Sequence, residues 1–183
     1  MAKKIIVALA NGFEETEVIA VTDVLRRLGI DAKLVALTNL VATGTHNIRI
    51  TCDLLLDDCK IEDFDGIYLP GGLPGAYNLR DDNRIISLVK TMFEQKKLVS
   101  AICAAPVVLA KAGLLKDKKF TMYPGFEDEL YGAIPTGNPA EIDGNIVTGK
   151  GPGAVFDTAY LMASTLVDKQ QIDDLYAGMF IKK

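Results

Sequence analysis

The chain has a single histidine, His46, and only three cysteines, Cys52, Cys59 and Cys103, among 183 residues. The cysteines neither pair off evenly nor form a CxxC, which argues against a disulfide framework and a thioredoxin-type motif and points to a reducing, cytoplasmic setting. One histidine without clustered Cys/His spacing leaves no credible zinc or iron site, so no metal is expected. Long basic runs are also missing. A net charge of −4 argues against a nucleic-acid groove as the primary site and against attachment to anionic membranes. The early apolar run Ile5-Ile6-Val7-Ala8-Leu9-Ala10 ends at strand length, where Asn11-Gly12-Phe13-Glu14-Glu15 begins, so it reads as a first strand and not as a signal peptide. No internal repeat, low-complexity stretch or linker interrupts the chain. What is present, 49% hydrophobic residues, suits one α/β domain over residues 1–183, acting on small molecules or protein partners.

Periodicity sets out a repeating βα order. Lys4 to Ala10 reads as a buried strand, Glu15 to Leu28 as a helix stopped by Gly29, and Asp31 to Leu37 as the next strand. Asn47 to Cys52 alternates, with Ile48, Ile50 and Cys52 on one face, as in a half-exposed strand of an added hairpin. Asp65 to Leu69 is apolar and runs into Pro70-Gly71-Gly72-Leu73-Pro74. A helix from about Asn83 to Gln95 then leads to the strand Leu98 to Ile102. Lys119 to Met122 is a further possible strand. Asp143-Gly144 suits a hairpin turn between Glu141-Ile142 and Asn145 to Thr148, and the final helix is expected near Ala154 to Val167. Asn11 to Glu17, Pro70 to Pro74, Cys103 and Gly149 to Gly153 therefore each follow the C-terminal end of a different strand. Open α/β sheets bind ligands at that end.

Cys103 is the leading candidate nucleophile, because Leu98 to Ile102 passes into the helix opened by Ala104-Ala105-Pro106 with no turn cluster between them. A cysteine at such a corner is displayed on a bend like a nucleophile elbow, beside free N–H groups of the new helix that favour thiolate. A free cysteine is more often only a small buried hydrophobe. Glu17 lies in register with Val24, Leu25 and Leu28, so its carboxylate is expected to point inward, with Cys103 as its partner. Glu14 and Glu15 are expected in solvent at the helix N-terminus. Two ionised groups in a desolvated crevice repel, so Glu17 and Cys103 should share one proton near neutral pH. Gly71 and Gly72 could be only a tight turn, but their N–H groups, with that of Ala104, could form an oxyanion site. Gly149 to Gly153 lacks Walker spacing and reads as a crevice wall. His46 is expected as a solvated loop residue, Cys52 as packing, and Cys59 as a thiol held up by Asp57 and Asp58. Tyr123 could line the crevice.

Phe13-Glu14-Glu15-Thr16-Glu17, Leu69-Pro70-Gly71-Gly72, Ala101-Ile102-Cys103-Ala104-Ala105-Pro106 and Gly151-Pro152-Gly153 resemble, in order and spacing, the ThiJ/PfpI superfamily, closest to its parkinsonism-associated deglycase branch. The resemblance implies a flavodoxin-like three-layer sandwich with a mostly parallel central sheet, a homodimer and a nucleophile-elbow cysteine matched by Cys103. It implies that Glu17 matches the protonated glutamate and that Gly72 and Ala104 match the backbone donors; Gly71, Tyr123, Gly151 and Pro152 are expected to line the site from their place at the strand ends. The implied activity is cofactor-free: a glyoxalase acting on 2-oxoaldehydes, or a deglycase of their early protein or nucleotide adducts. The alternative is an oxidative-stress sensor or redox-regulated chaperone acting through oxidation of Cys103. Many relatives carry a histidine after the nucleophile helix, where this chain has Tyr123. A Cys-His protease or amidase therefore lacks its base and ranks last.

Overall fold

Strand β1 (Lys4–Leu9) is buried from Ile5 onward, and the chain reverses through helix α1 (Glu15–Arg27) into β2 (Asp31–Ala36). This computed structural model describes residues 2–126, 129–130 and 132–181. Helix α1 starts at Glu14, whose extended backbone and carboxylate cap the Glu17 N–H at 2.7 Å, and ends in Arg26 and Arg27 where the helix dipole favours cations. Val18, Val21, Val24 and Leu25 form its buried stripe. Short strands β3 (Val41–Thr43) and β4 (Arg49–Thr51) pair antiparallel as the expected hairpin. The face assignment there needs correcting: Ile50 and Cys52 are buried, but Ile48 precedes the strand and is 54% exposed. Next come β5 (Leu54–Leu55), β6 (Gly66–Leu69), α2 (Gly75–Asp81), α3 (Asn83–Glu94), β7 (Leu98–Ile102) and α4 (Pro106–Lys111).

Two helices lie outside the sequence reading. Helix α2 fills the interval after Pro74 that reads as a turn, burying Ala76 and Leu79. After β8 (Lys119–Phe120), β9 (Ile134–Pro135), β10 (Ala140–Asp143) and β11 (Ile146–Gly149), helix α5 (Val155–Ser164) is not the last element. It is followed by α6 (Lys169–Gly178), anchored by buried Ile172 and Tyr176 one turn apart. The expected Asp143-Gly144 turn is present between β10 and β11, with Gly144 at φ +64°.

The central sheet has seven strands in the order β10-β11-β7-β6-β1-β2-β5, all neighbours parallel except β10 and β11. Strand alternation sends Ile6, Ala8, Ile67, Leu69, Val99 and Ala101 to one face, against α2, α3 and α4. Ile5, Val7, Leu9, Tyr68 and Ile102 go to the other, against α1, α5 and α6. The result is a mostly parallel sheet between two helical layers. From β1 the chain first builds outward to β2 and β5 and then crosses to β6 on the other side. The reversal opens a crevice outside the C-terminal ends of β1 and β6. Among the described residues, no helix is long and apolar enough to cross a membrane.

Candidate active site

Four segments meet at that edge, as the strand-end reading expects. Gly71 accepts from Glu14 N at 3.0 Å, Gly75 N donates to the Gly12 carbonyl at 3.1 Å, and Cys103 N donates to the Gly149 carbonyl at 2.9 Å. Cys103 sits between the last residue of β7 and the opening turn of α4 with φ +60°, a left-handed backbone that costs a non-glycine residue of order 1–3 kcal/mol. Its side chain is thereby turned out of the sheet toward α1, and the residue stays 9% exposed.

Glu17 is fully buried. Its Oε2 accepts from Gly71 N at 2.7 Å. Its Oε1 makes no hydrogen bond of ordinary geometry, yet the Cys103 side chain is close enough for the two groups to act on each other's ionisation. Burial is the largest influence on the carboxyl and pushes its pKa up to about 8, against the pull of the Gly71 N–H. Burial likewise pushes the Cys103 thiol up to about 12, followed by the charge and hydrogen bond of an ionised Glu17. The backbone N–H groups of Gly72 and Ala104 pull it down.

The thiol's direction departs from the sequence reading, in which free N–H groups at the corner favour thiolate. Burial outweighs those N–H groups. The expected sharing of one proton near neutral pH does not follow either: below about pH 8 Glu17 is neutral and burial keeps the thiol protonated, although the carboxylate's repulsion of a thiolate is then absent. Because Oε2 is already an acceptor for Gly71, the carboxyl proton belongs on Oε1. From there it can be donated to the nearby sulfur, and donation to a thiolate lowers the thiol pKa.

The glycines close the site sterically. A Cβ on Gly71 would lie 2.6 Å from Cys103 Cβ and 3.0 Å from both Ala104 N and Glu17 Oε2. Gly72 has φ +82°, and a Cβ there would lie 2.4 Å from Glu14 N. Tyr123 is tied to the corner by its N–H on the Cys103 carbonyl at 2.9 Å, while its ring is 51% exposed. With Gly151, Pro152, Pro139 and Lys150 it borders a groove of about 390 Å³.

Other candidates fall elsewhere. Glu15 is not the solvated residue expected: it is buried, and its carboxylate reaches across to the β3–β4 hairpin. It accepts from His46 N at 2.6 Å and Thr45 Oγ1 at 3.2 Å and pairs with His46 Nδ1 at 2.9 Å. His46 is exposed, as expected, but it is held in this clamp rather than free in solvent. Helical spacing alone could not reveal a partner thirty-one positions away. Ligand atoms of Glu14, Glu15 and His46 lie within 4.8 Å of one another; hydrogen bonds of the clamp join Glu15 to His46, and the Glu14 carboxylate is engaged in capping Glu17 N. Cys52 is buried and pushed up to about 11, and Cys59 is raised by burial and then by Asp58. Among the described residues, neither thiol faces a donor set comparable to that at Cys103.

The fold and this edge define a flavodoxin-like α/β protein with a buried cysteine–carboxyl pair at the switch point of its parallel sheet. The chain belongs to the DJ-1/PfpI family, whose model matches residues 3–165. It is 33% identical to protein dj-1beta of Drosophila melanogaster over 184 residues, covering 99% of this chain and 98% of that protein. The crystal structure of Drosophila DJ-1beta superposes with a TM-score of 0.94 at 32% identity, covering all of both chains. A deglycase of Pyrococcus horikoshii is 32% identical over 155 residues, 84% of this chain and 93% of that protein. Protein DJ-1 homolog A of Arabidopsis thaliana is 34% identical, and the chain spans 47% of its length.

Proposed function

We propose that the protein is a cofactor-free, cysteine-dependent enzyme acting on reactive 2-oxoaldehydes or on their early adducts. The single observation behind this reading is the buried Glu17–Cys103 pair, with the N–H groups of Gly72 and Ala104 directed at the sulfur. The deglycase name of the Pyrococcus relative points the same way.

In this reading the Cys103 thiolate adds to the aldehyde carbon, forming a C–S bond while the C=O π pair moves to oxygen. The alkoxide is held by the Gly72 and Ala104 N–H groups and takes the proton of Glu17. Glu17, now a carboxylate, removes the proton from that carbon and returns it to the neighbouring carbonyl carbon through the enediol. Water then cleaves the resulting thioester to give the 2-hydroxy acid and free thiol. The net change is an internal redox rearrangement plus one water, so no external oxidant or cofactor enters. A deglycase would begin with attack on an adduct carbon instead. Lactate formation from methylglyoxal tests the proposal: Cys103→Ser should fall to the uncatalysed background, and equal rates for the variant and the wild type would overturn it.

A second reading, a redox sensor or regulated chaperone, draws on the same donors, which can hold the oxygens of an oxidised sulfur. Each peroxide would transfer one oxygen to Cys103 and leave as water, giving a sulfinate after two equivalents. Peptide mass mapping after mild peroxide treatment decides it, since oxygen found only on Cys52 or Cys59 rules it out. We further propose a homodimer in the cytoplasm. Peptide hydrolysis has no support at Cys103, where the nearby ring is Tyr123 and the histidine is in the hairpin clamp.

A further inference from the structure

We infer that Tyr68 is a positioning residue for the Cys103 site: its buried hydroxyl, by holding the first turn of α1, fixes the Glu17 carboxyl against the sulfur. This role rests on the Glu17–Cys103 reading above. Tyr68 is fully buried in the middle of the sheet, on the face that packs against α1, and its hydroxyl donates to the Glu17 carbonyl at 3.2 Å. In register with Ser100 on the neighbouring strand β7, it lies beside a strand that ends at Ile102, one residue before Cys103. Burying a phenol in an apolar layer is costly unless its hydroxyl is used. Here the hydroxyl is used on the residue that carries the site's carboxyl.

The attachment is part of a larger grip. The segment Tyr68 to Gly71 holds the start of α1 at three points: Tyr68 hydroxyl to the Glu17 carbonyl, Gly71 N to Glu17 Oε2 at 2.7 Å, and Glu14 N to the Gly71 carbonyl at 3.0 Å. Glu14 completes it by accepting from Glu17 N at 2.7 Å. Backbone and carboxyl of Glu17 are therefore fixed by the same strand exit, so a small rotation of the helix turn changes the approach of Oε1 to Cys103. The titratable groups acting on the hydroxyl are Glu17, Cys103 and Glu14. With burial as the largest cause, they raise its pKa well above the ordinary tyrosine value. Tyr68 consequently stays protonated and remains a donor throughout the working range.

The test is a double-mutant cycle read by the pH midpoint of Cys103 alkylation with iodoacetamide. Tyr68→Phe keeps the ring and removes only the donor. In otherwise wild-type protein it should raise the midpoint by about half to one unit, a roughly 3- to 10-fold loss of thiolate below the midpoint. In a Glu17→Leu background the same change should shift nothing, because no carboxyl is left to position. Equal shifts in both backgrounds would mean a merely structural effect and overturn the role, as would no shift in the wild-type background despite a clear Glu17→Leu response. A Glu17→Leu protein titrating like wild type would overturn the cysteine–carboxyl pairing itself, and the Tyr68 role with it. Should Tyr68→Phe fold poorly, Tyr68→Met, also without a donor, carries the same expectation.

Discussion

Cys103 gains its character from what surrounds the sulfur, not from exposure. Two backbone N–H groups reach it, burial works against its ionisation, and the adjoining carboxyl changes sign as a neighbour when it is protonated. As a carboxylate, Glu17 repels a thiolate. As an acid, it donates to one. Glu17→Gln therefore leaves a weaker neutral donor and no proton to transfer, and lactate formation should drop by at least about 10²-fold while substrate still binds. A variant with near-normal kcat would remove Glu17 from the chemistry. Gly71 is equally exposed to test. Its α-carbon faces Cys103 Cβ, Ala104 N and Glu17 Oε2 at once, so Gly71→Ala must push at least one of them aside. Overpacking of this kind costs about 1–3 kcal/mol, and the activity loss should exceed the shift in thermal midpoint.

Among the elements, α1 carries two buried carboxylates with opposite tasks. Glu17 turns in toward the sheet edge, whereas Glu15 turns out to clamp the β3–β4 hairpin. The clamp's hydrogen bonds from His46 and Ile48 hold the Glu15 pKa below the ordinary value of 4.5 despite its burial. A depressed pKa stabilises the fold above that ordinary value and is lost as pH falls through the folded one. Protection factors for the amides of Gly44 to Ile48 should therefore fall at acidic pH and in Glu15→Ala, which should cost about 1–3 kcal/mol. Unchanged protection would show that the hairpin holds itself.

The strand ends were legible in the sequence because each depends on a local apolar run, and Cys103, Glu17, Gly72 and Ala104 come together where those ends converge. Helix α2 was not legible, because Gly75 and the preceding Pro74 read locally as a turn and only tertiary packing of Ala76 and Leu79 favours a helix there. Helix α6 escaped for a similar reason, since its buried anchors amount to Ile172 and Tyr176 in a polar segment. The Glu15 clamp and the raised thiol pKa depend on groups brought in from distant sequence, which no local pattern encodes.

For the whole molecule, the buried carboxyl makes stability depend on pH. Glu17 has a folded pKa of about 8 against an ordinary value of 4.5, so the folded state binds its proton more tightly. Stability is then full below the ordinary value and declines as pH rises toward 8, by at most roughly 5 kcal/mol. Glu17→Gln should abolish that decline in urea unfolding curves, and a wild type equally stable at pH 5 and pH 8 would contradict the burial argument. The proposed homodimer is checked by sedimentation equilibrium, where a species of twice the 19.8 kDa chain mass is expected. The most direct measurement is the pH titration of Cys103 alkylation in the wild type and in Glu17→Gln. A wild-type midpoint lower than that of Glu17→Gln is the expected result, because a neutral carboxyl donates to the thiolate and offsets part of the burial that raises the thiol. A midpoint that stays near the ordinary thiol value in both proteins, or that falls when the carboxyl is replaced, would contradict it.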